Sequence, residues 1–308
     1  MRQVIEAWST DDFIVRRLLI IDGHAYAYRA FYAIRTLRGP DGRATNAIFG
    51  FIKFVEKYLK NLNPQYVAVV WDGGLSVERL ALLPDYKAQR PEMPEDLRGQ
   101  FDQIVEYLRA MGVCSLCRDG IEADDYIASL ARQAERAGLT VVIASADKDF
   151  MQLVSPAIGL LNPGDKTNVI WTRVQVREKT GVEPEQIVDW LSLMGDTVDN
   201  IPGVPGVGPK TAAELLGNFG SIAGLMERLG EIRPQGLQAR LAAAAANIRR
   251  NLDMVRLRDD LPCEVVPEDC VVRPPALDKL RQLYGRWGFK GMLAALEAAI
   301  PDGQQVLI

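Results

Sequence analysis

Histidine is almost absent from this chain, which has His24 alone among 308 residues. Hydrolysis at neutral pH needs either a general base such as histidine or a metal ion that makes hydroxide from bound water. Chemistry that depends on several histidines is therefore excluded. If the chain hydrolyses a bond, a metal held by oxygen ligands is the better explanation.

Cysteine is also scarce, with four residues: Cys114, Cys117, Cys263 and Cys270. The first two form a CxxC pattern inside residues 113–117, a segment that reads as a β-strand, whereas a redox pair needs the start of a helix. A zinc site would need a second pair of ligands, and the single histidine removes the usual partners. We therefore expect four reduced thiols that are buried and structural.

Long apolar runs are missing as well. None approaches the roughly 20 residues that cross a membrane, and residues 1–17 lack the apolar core of a signal peptide. We expect residues 1–17 to be a lead-in to the folded chain. We also expect a cytoplasmic protein without membrane contact.

The remaining composition is typical of a globular protein of one large or two modest domains, with 48% hydrophobic and 25% charged residues. The net charge of -4 argues superficially against nucleic-acid binding. However, nine of the 40 acidic residues are candidates for one metal-binding cluster, and without them the chain would be mildly basic. The distribution of charge therefore decides the class of partner, not the total.

Three short apolar segments each end in an aspartate, at residues 17–22, 66–72 and 140–147. Their continuous β-branched character indicates strands that are buried on both faces, as in a parallel sheet. Between them lie amphipathic segments that predict crossover helices, at 46–62, 97–111 and 123–137. We predict an α/β fold with a central, mostly parallel sheet flanked by helices. Ligands of such sheets bind at the carboxyl ends of the strands.

Nine carboxylates fall where strands end or helices begin. They are Asp22, Asp72, Glu122, Asp124, Asp125, Asp147, Asp149, Asp196 and Asp199. Helix N-caps are the structural alternative, because aspartate is common there. Two like charges about 5 Å apart repel by roughly 3 kcal/mol at an effective dielectric constant of 20, so a cluster of this size requires cations. Oxygen ligands in this number suit Mg²⁺ or Mn²⁺.

A second signal is the segment 201–211, which is rich in glycine and proline and precedes a helix. Glycines let the backbone pass close to a phosphate, and the helix start turns its N–H groups toward it. A Walker A loop is excluded because Pro209 stands before Lys210, and a dinucleotide fingerprint is excluded because a helix precedes the glycines. The segment fits a helix-hairpin-helix type element that binds one DNA strand by its backbone, with a plain interhelical turn as the alternative. The candidate contacts are Gly203, Gly206, Gly208, Lys210 and Thr211.

A third signal is a basic segment between the second strand and the helix near Leu97. Its prolines argue against a core element. Basic groups around an aromatic side chain are typical of single-stranded nucleic-acid sites, and a solvated loop is an equal alternative. The residues are Arg79, Tyr86, Lys87, Arg90 and Arg98.

With these motifs in place, the chain resembles the 5′-nuclease (flap endonuclease) family, which includes the N-terminal 5′→3′ exonuclease domain of bacterial DNA polymerase I. The matching motifs occur in family order over nearly the whole chain. They are Asp22-Gly23-His24 with Tyr28-Arg29, Trp71-Asp72, Tyr86 to Pro91, Gly120 to Asp125, Ala146 to Asp149, and Gly195-Asp196 through Lys210-Thr211.

The resemblance implies a PIN-like 5′-nuclease fold with a catalytic domain at 18–183 and a helical DNA-binding domain at 184–300. A helical arch at 76–98 would admit a 5′ single strand, and a helix–three-turn–helix element at about 187–217 would bind duplex and K⁺. Residues 301–308 would be a tail. Two or three Mg²⁺ or Mn²⁺ ions would be held by the nine carboxylates.

The resemblance also implies individual roles. Lys87 and Arg90 would contact the scissile phosphate, Arg29 would support the site, Tyr86 would stack near the junction, and Arg79 would add to the basic surface. The expected activity is two-metal hydrolysis of DNA and RNA-primer phosphodiesters in replication and repair. The substrate would be a 5′ flap, nick or 5′ end, bound by a monomer without sequence specificity.

Three other classes of function can be compared with this one. Another magnesium nuclease, or a topoisomerase-primase-like domain, would use Asp147 and Asp149 and leave the other acids unexplained. A non-catalytic DNA-junction binder would be expected to lack several acids. A haloacid-type phosphatase needs an Asp-x-Asp pattern after its first strand, where this chain has Asp22-Gly23-His24, and is excluded.

Overall fold

The computed structural model describes residues 16–165 and 168–299. Within these ranges, one six-stranded sheet has the order β3-β2-β1-β4-β5-β6. Strands β1 to β5 are parallel, and β6 runs antiparallel to β5. The predicted α/β class and mostly parallel sheet are confirmed. The strands are β1 (Arg17–Asp22), β2 (Tyr66–Trp71), β3 (Cys114–Cys117), β4 (Thr140–Ala144), β5 (Ile158–Leu161) and β6 (Ile170–Trp171).

Helices cover both faces of this sheet and make up most of the second half of the described chain. The three crossover helices predicted from periodicity are present, with ends within two residues of the prediction. The α-helices are α1 (Gly23–Ala33), α2 (Asn46–Leu62), α3 (Val77–Leu82), α4 (Glu95–Ala110), α5 (Ala123–Arg136), α6 (Arg173–Thr180), α7 (Ile187–Met194), α8 (Pro209–Phe219), α9 (Ile222–Glu227), α10 (Gln235–Ala243), α11 (Ala245–Val255), α12 (Leu277–Trp287) and α13 (Lys290–Ala299).

Shorter elements complete the chain. A two-residue antiparallel pair, β7 (Gly195–Asp196) and β8 (Ile201–Pro202), lies between α7 and α8. Short 3₁₀ helices occur at Lys148–Leu153, Pro184–Gln186, Leu229–Glu231 and Pro267–Cys270.

Two hydrophobic clusters lie on opposite faces of the sheet. In β1, Leu18 and Ile20 belong to one cluster, and Leu19 and Ile21 belong to the other, because successive strand side chains point to opposite faces. The first cluster continues without a break from α5 into α7, α8 and α11. The helical second half therefore shares a core with the sheet.

The sheet order places three strand ends side by side. β1 lies between β2 and β4, and all three run in the same direction. Asp22 ends β1, Asp72 follows β2, and Asp147 follows β4 by three residues. The carboxyl edge of the sheet therefore receives an acid from each of three neighbouring strands.

The four cysteines differ from the expectation of buried thiols. All four are free, as predicted, but Cys117 is exposed, and Cys114 and Cys263 are half-buried. Cys117 ends β3, an edge strand that has a neighbour on one side alone. Cys270 is buried.

Some predictions concern the ends of the chain. Residues 1–15 of the predicted lead-in and the predicted tail at 301–308 lie outside the described residues. Arg17 opens β1 and so belongs to the sheet. In the described part of the chain, no helix is both long and apolar enough to span a bilayer.

Candidate active site

Asp22 joins the ends of two strands. Its Oδ1 accepts a hydrogen bond from the backbone N–H of Ala25 at 3.0 Å, and its Oδ2 accepts one from the Ser145 hydroxyl at 2.9 Å. Ser145 directly follows β4, so Asp22 links β1 to β4. Burial, with smaller contributions from the carboxylates of Asp147 and Asp72, raises the pKa of Asp22 to about 6.

A hydrogen bond from a nearby backbone amide orients the side chains of four acids. In Asp22, Asp72, Asp147 and Asp196, the Oδ1 atom accepts a backbone N–H from a residue two or three positions later. Asp22 and Asp147 are true N-caps, of α1 and of the 3₁₀ helix that follows β4. A capping role and a position in the acid cluster are therefore compatible for these two residues. The backbone amides that donate to Asp22, Asp72, Asp147 and Asp196 belong to Ala25, Gly74, Asp149 and Val198, respectively.

Further carboxylates act on these four through their charge. Loss of hydration raises the pKa of Asp124 well above its usual range, and Asp147 and Asp22 add to the effect. The pKa of Asp149 is raised in the same way, by loss of hydration and then by Asp147 and Asp196. The structure thus brings seven of the nine predicted acids into mutual electrostatic reach. They are Asp22, Asp72, Asp124, Asp147, Asp149, Asp196 and Asp199.

The other two acids face Arg79. Both oxygens of Asp125 accept from the guanidinium at 2.8 Å, and Glu122 Oε2 lies 3.3 Å from it. Arg79 is buried and also donates to the backbone carbonyls of Met254 and Arg256. The structure thus places Arg79 inside the protein, and not at the surface where the sequence predicted a contact with DNA. Arg79 is an internal counter-charge between α3, α5 and α11.

The basic segment lies against the acid cluster and is not a free loop. Tyr86 is buried and its hydroxyl donates to Glu122 Oε2 at 3.0 Å, so the predicted stacking surface is absent at Tyr86. Lys87 is buried too, and its Nζ donates to the same oxygen at 2.7 Å. Burial alone would raise the pKa of Glu122, but Lys87 and Arg79 hold it below its ordinary value.

Local backbone geometry directs Lys87 inward. Its φ of 56° is left-handed, and its amide donates to the carbonyl of Asp199 at 3.1 Å. The predicted helical arch at 76–98 is helical in α3 and in the first turn of α4, and non-helical over 83–94.

Two further predicted residues lie at the rim of the cluster. Arg90 is half-exposed, and its Nη2 donates to Asp199 Oδ1 at 2.6 Å. Arg29, on α1, is exposed and donates to the carbonyl of Pro163 at 2.8 Å. Arg90 therefore lies against the acids, whereas the observed partner of Arg29 is a loop carbonyl.

The sequence interpretation missed several residues of the cluster. Lys148 Nζ lies 3.0 Å from Asp196 Oδ2, and Ser145 orients Asp22. His24 is structural: its Nδ1 accepts the N–H of Asp72 at 3.1 Å, and burial lowers its pKa. Lys148 stands between two candidate ligands in the sequence, a position that could have drawn attention to it.

The positions of the acids determine whether they can bind a divalent cation. Throughout residues 16–165 and 168–299, no three His, Cys, Asp or Glu side chains stand so that they could together hold a metal ion. Four cations of the described chain pair with these acids instead. Arg79 and Lys87 pair with Glu122, Arg79 also pairs with Asp125, Arg90 pairs with Asp199, and Lys148 pairs with Asp196. The chemistry of the donor set still suits a hard divalent ion, because it is all oxygen. Burial, and after it the neighbouring carboxylates, raises the pKa of Asp22, Asp124, Asp147 and Asp149, and a cation would offset both effects.

The glycine turn packs tightly between α7 and α8. A Cβ atom on Gly203 would lie 1.9 Å from the Met194 carbonyl oxygen, and Gly206 has a φ of +75°. Gly208 is the N-cap of α8, and Lys210 and Thr211 lie in its first turn. Lys210 is exposed, so the turn and the helix start could meet a phosphate together.

The buried side-chain amide of Asn251, on α11, holds this turn in place. The Nδ2 of Asn251 donates to the carbonyl of Ser192 at 3.1 Å and to that of Pro202 at 2.9 Å. It thus links α11 to α7 and β8. No local pattern predicts this role, because Asn251 is 49 residues or more from both partners.

Comparison with known proteins adds two matches that together span most of the chain. Residues 17–181 match the family described as 5′-3′ exonuclease, N-terminal resolvase-like domain. Residues 182–278 match the family described as 5′-3′ exonuclease, C-terminal SAM fold.

Curated relatives are similar over nearly the full chain. A 5′-3′ exonuclease of Aquifex aeolicus is 36% identical over 291 residues, which are 94% of this chain and 99% of that protein. A DNA polymerase I of Bacillus caldotenax is 35% identical over 294 residues, which are 95% of this chain and 34% of that protein. The chain thus spans about a third of the length of the DNA polymerase I relatives it matches.

Solved structures show the same fold. The T5 5′-exonuclease with bound zinc ions has a TM-score of 0.65 at 23% identity, covering 92% of this chain and 99% of that one. The catalytic core of Rad2 in complex with a DNA substrate has a TM-score of 0.65 at 18% identity, covering 94% of this chain and 93% of that one.

Proposed function

Since the chain belongs to the 5′-3′ exonuclease family and is a DNA-cleaving nuclease, we propose that its acid cluster hydrolyses phosphodiesters at 5′ flaps, nicks and 5′ ends. One observation carries the proposal. Seven carboxylates from β1, from the start of α5 and from the segments around the ends of β2, β4 and β7 lie within electrostatic reach of one another, and four of them are oriented by backbone amides. The proposal includes RNA primers as substrates, a role in replication and repair, and a cytoplasmic monomer.

The acid cluster would hold two or three Mg²⁺ or Mn²⁺ ions. Asp22, Asp72 and Asp124 would serve the ion nearer the attacked phosphate, and the acids from Asp147 to Asp199 would serve the second. When bound, such ions supply hydroxide from water and stabilise the entering and leaving oxygens. Two predicted ligands are removed from this set. Arg79 and the amide of Arg258 occupy both oxygens of Asp125, and the amide of Ser76, Tyr86 and Lys87 occupy those of Glu122.

The cations of the basic segment would guide the substrate. Arg90 is half-exposed at the rim of the cluster, where a guanidinium can bind two phosphate oxygens at once. Lys87 is buried against Glu122, so its first effect is to keep that carboxylate ionised and fixed. Its contact with the scissile phosphate would require movement of the 83–94 segment.

The glycine turn would bind the duplex. The N–H groups at the start of α8, together with exposed Lys210, present positive charge to a phosphate without reading sequence. A K⁺ ion at this turn belongs to the same proposal.

Asp147→Asn tests the assignment. Asparagine also caps helices, so the 3₁₀ helix should persist while the charge is lost. We expect cleavage of a 5′-flap DNA to fall by about 1,000-fold or more, a loss typical of removed catalytic machinery, while binding in gel-shift assays is unchanged. Asp278→Asn, an exposed acid on α12, is the matched control.

The outcomes separate the classes of function. Retained cleavage by Asp147→Asn would refute the acid cluster as the catalytic centre. Flap binding by the natural chain without any cleavage in Mg²⁺ or Mn²⁺ would favour a junction binder. A parallel assay with a small-molecule phosphate ester would reveal phosphatase activity.

A further inference from the structure

Lys148 places a positive charge inside the acid cluster. It begins the 3₁₀ helix that follows β4, between Asp147 and Asp149 in the sequence. Its Nζ reaches across to β7, where it lies 3.0 Å from Asp196 Oδ2. Its charge also acts on Asp147 and Asp149, which are both candidate ligands.

Lys148 contacts the carboxylate oxygen of Asp196 that accepts no hydrogen bond from the nearby backbone amides. Asp196 Oδ1 accepts the amide of Val198 at 2.8 Å, with the amide of Asp199 at 3.4 Å. The Oδ2 atom has the Lys148 ammonium as its partner. A divalent ion that binds Asp196 Oδ2 would therefore compete with this ammonium.

Lys148 is more exposed to solvent than Lys87, the other lysine that contacts these acids. The side chain of Lys148 is 36% exposed, whereas that of Lys87 is 3% exposed. A lysine is a compact charge on a flexible stem, so its head can return to water when another cation arrives.

We propose that Lys148 is a tethered counter-ion that competes with a divalent cation for Asp196 Oδ2 and so sets the metal affinity of this half of the cluster. The inference rests on the proposed function, because it needs the acids to bind metal. A tethered ammonium is always at high effective concentration. A divalent ion would displace it through its larger charge.

Lys148→Met tests the competition directly. We expect the dissociation constant for Mn²⁺, titrated by calorimetry into EDTA-dialysed protein without DNA, to fall about tenfold, the change that corresponds to about 1.4 kcal/mol. Lys290→Met is the control, because it removes an exposed lysine at the start of α13. Its Mn²⁺ affinity should equal that of the natural chain.

A double mutant separates competition from a general effect of charge. Asp196→Asn removes the contested carboxylate but keeps the Oδ1 acceptor for the turn. If Lys148 acts by competing for Asp196, adding Lys148→Met to Asp196→Asn should change the Mn²⁺ affinity less than twofold. A tenfold gain in both backgrounds would show a long-range charge effect and would overturn the inference.

The remaining outcomes are also distinct. Unchanged or weaker Mn²⁺ binding in Lys148→Met would overturn the inference, as would a selective loss of flap binding, which would make Lys148 a DNA contact. Absence of Mn²⁺ binding by the natural chain would instead contradict the proposed function.

Discussion

At the end of β1, the two oxygens of Asp22 serve different purposes. One caps α1, and the other holds the hydroxyl of Ser145 at the end of β4. This arrangement keeps the carboxylate close to other acids at a cost in electrostatic energy. The cost has a measurable dependence on pH.

We predict that Asp22→Asn stabilises the metal-free protein at neutral pH. The folded-state pKa of Asp22, about 6, lies above its ordinary value of 3.8, so the native state binds the proton more tightly than the unfolded state. Its contribution to stability is fully present below pH 3.8 and is lost as the pH rises through 6. The substitution should therefore raise the free energy of unfolding by up to about 3 kcal/mol at pH 7.5 and hardly at all near pH 4.

Urea unfolding in EDTA at several pH values checks this dependence. Asp278→Asn is the control, and it should shift stability by less than about 0.5 kcal/mol at every pH. Equal stability of Asp22→Asn and the natural chain at pH 7.5 would show that Asp22 is not under strain.

A second prediction concerns the buried charges of α3 and α5. Arg79→Met would leave Asp125 and Glu122 without their guanidinium, and removing one partner of a buried pair costs about 3–5 kcal/mol. Arg79→Lys should lose less than Arg79→Met but still be destabilised, because lysine cannot form the bidentate contact. Urea unfolding at pH 7.5 measures both.

Arg258→Met is the matched comparison for Arg79. Arg258 pairs with Glu78 at the surface, and such pairs contribute about 1 kcal/mol or less. Normal stability of Arg79→Met together with weaker flap binding would restore Arg79 as a DNA contact.

Residue roles were predictable from the sequence where the backbone sets them. Asp22 and Asp72 could be placed, because a strand end determines where the next side chain lies. Arg79 and Tyr86 could not, since their partners are 46 and 36 residues away, and a proline-broken basic segment looks like surface. The pairing of Lys148 with Asp196 depends on how α7 packs, which no local pattern contains.

At the scale of elements, the crossover helices followed from periodicity, and their ends were nearly correct. The pair β7 and β8 was not predicted, because two residues are too few to show a period. The glycine turn was recognised by composition, but the reason for its glycines is a close approach of the backbone at Gly203 and Gly195.

We predict that Gly203→Ala disrupts this turn. The added methyl would lie 1.9 Å from the carbonyl oxygen of Met194 and 2.6 Å from the amide nitrogen of Gly195, both in the backbone. The backbone must shift, so we expect a loss of about 1–3 kcal/mol in the free energy of unfolding. Flap binding, measured by fluorescence anisotropy, should weaken several-fold.

Gly217→Ala is the control for this change. Gly217 lies within α8, and a methyl there would have no neighbour within 4 Å. Alanine should stabilise the helix by up to about 1 kcal/mol and leave DNA binding unaltered. If Gly203→Ala behaved like Gly217→Ala, the turn would not require glycine at that position.

At the scale of the whole molecule, one hydrophobic cluster crosses the boundary between residues 17–181 and 182–278. Ile127 of α5 and Leu191 of α7 belong to it, with Ile248 of α11. The two matched regions, and the two domains predicted at 18–183 and 184–300, therefore share packing. A common core couples their unfolding.

We predict that Leu191→Ala destabilises both halves together. The side chain is 1% exposed, and its truncation should cost about 2–5 kcal/mol. Urea transitions followed by far-UV circular dichroism and by tryptophan fluorescence should shift by the same amount and remain coincident. Separation into two transitions would show that the halves fold independently.

The side chain of Asn251 affects how the glycine turn would bind DNA. Its amide donates hydrogen bonds to two carbonyls, those of Ser192 and Pro202, which precede the glycine turn. The turn therefore adopts its conformation when the protein folds, before DNA binds. A binding turn that is already ordered loses little conformational entropy when DNA binds. The enzyme would therefore select a duplex by whether the phosphate spacing matches a fixed template.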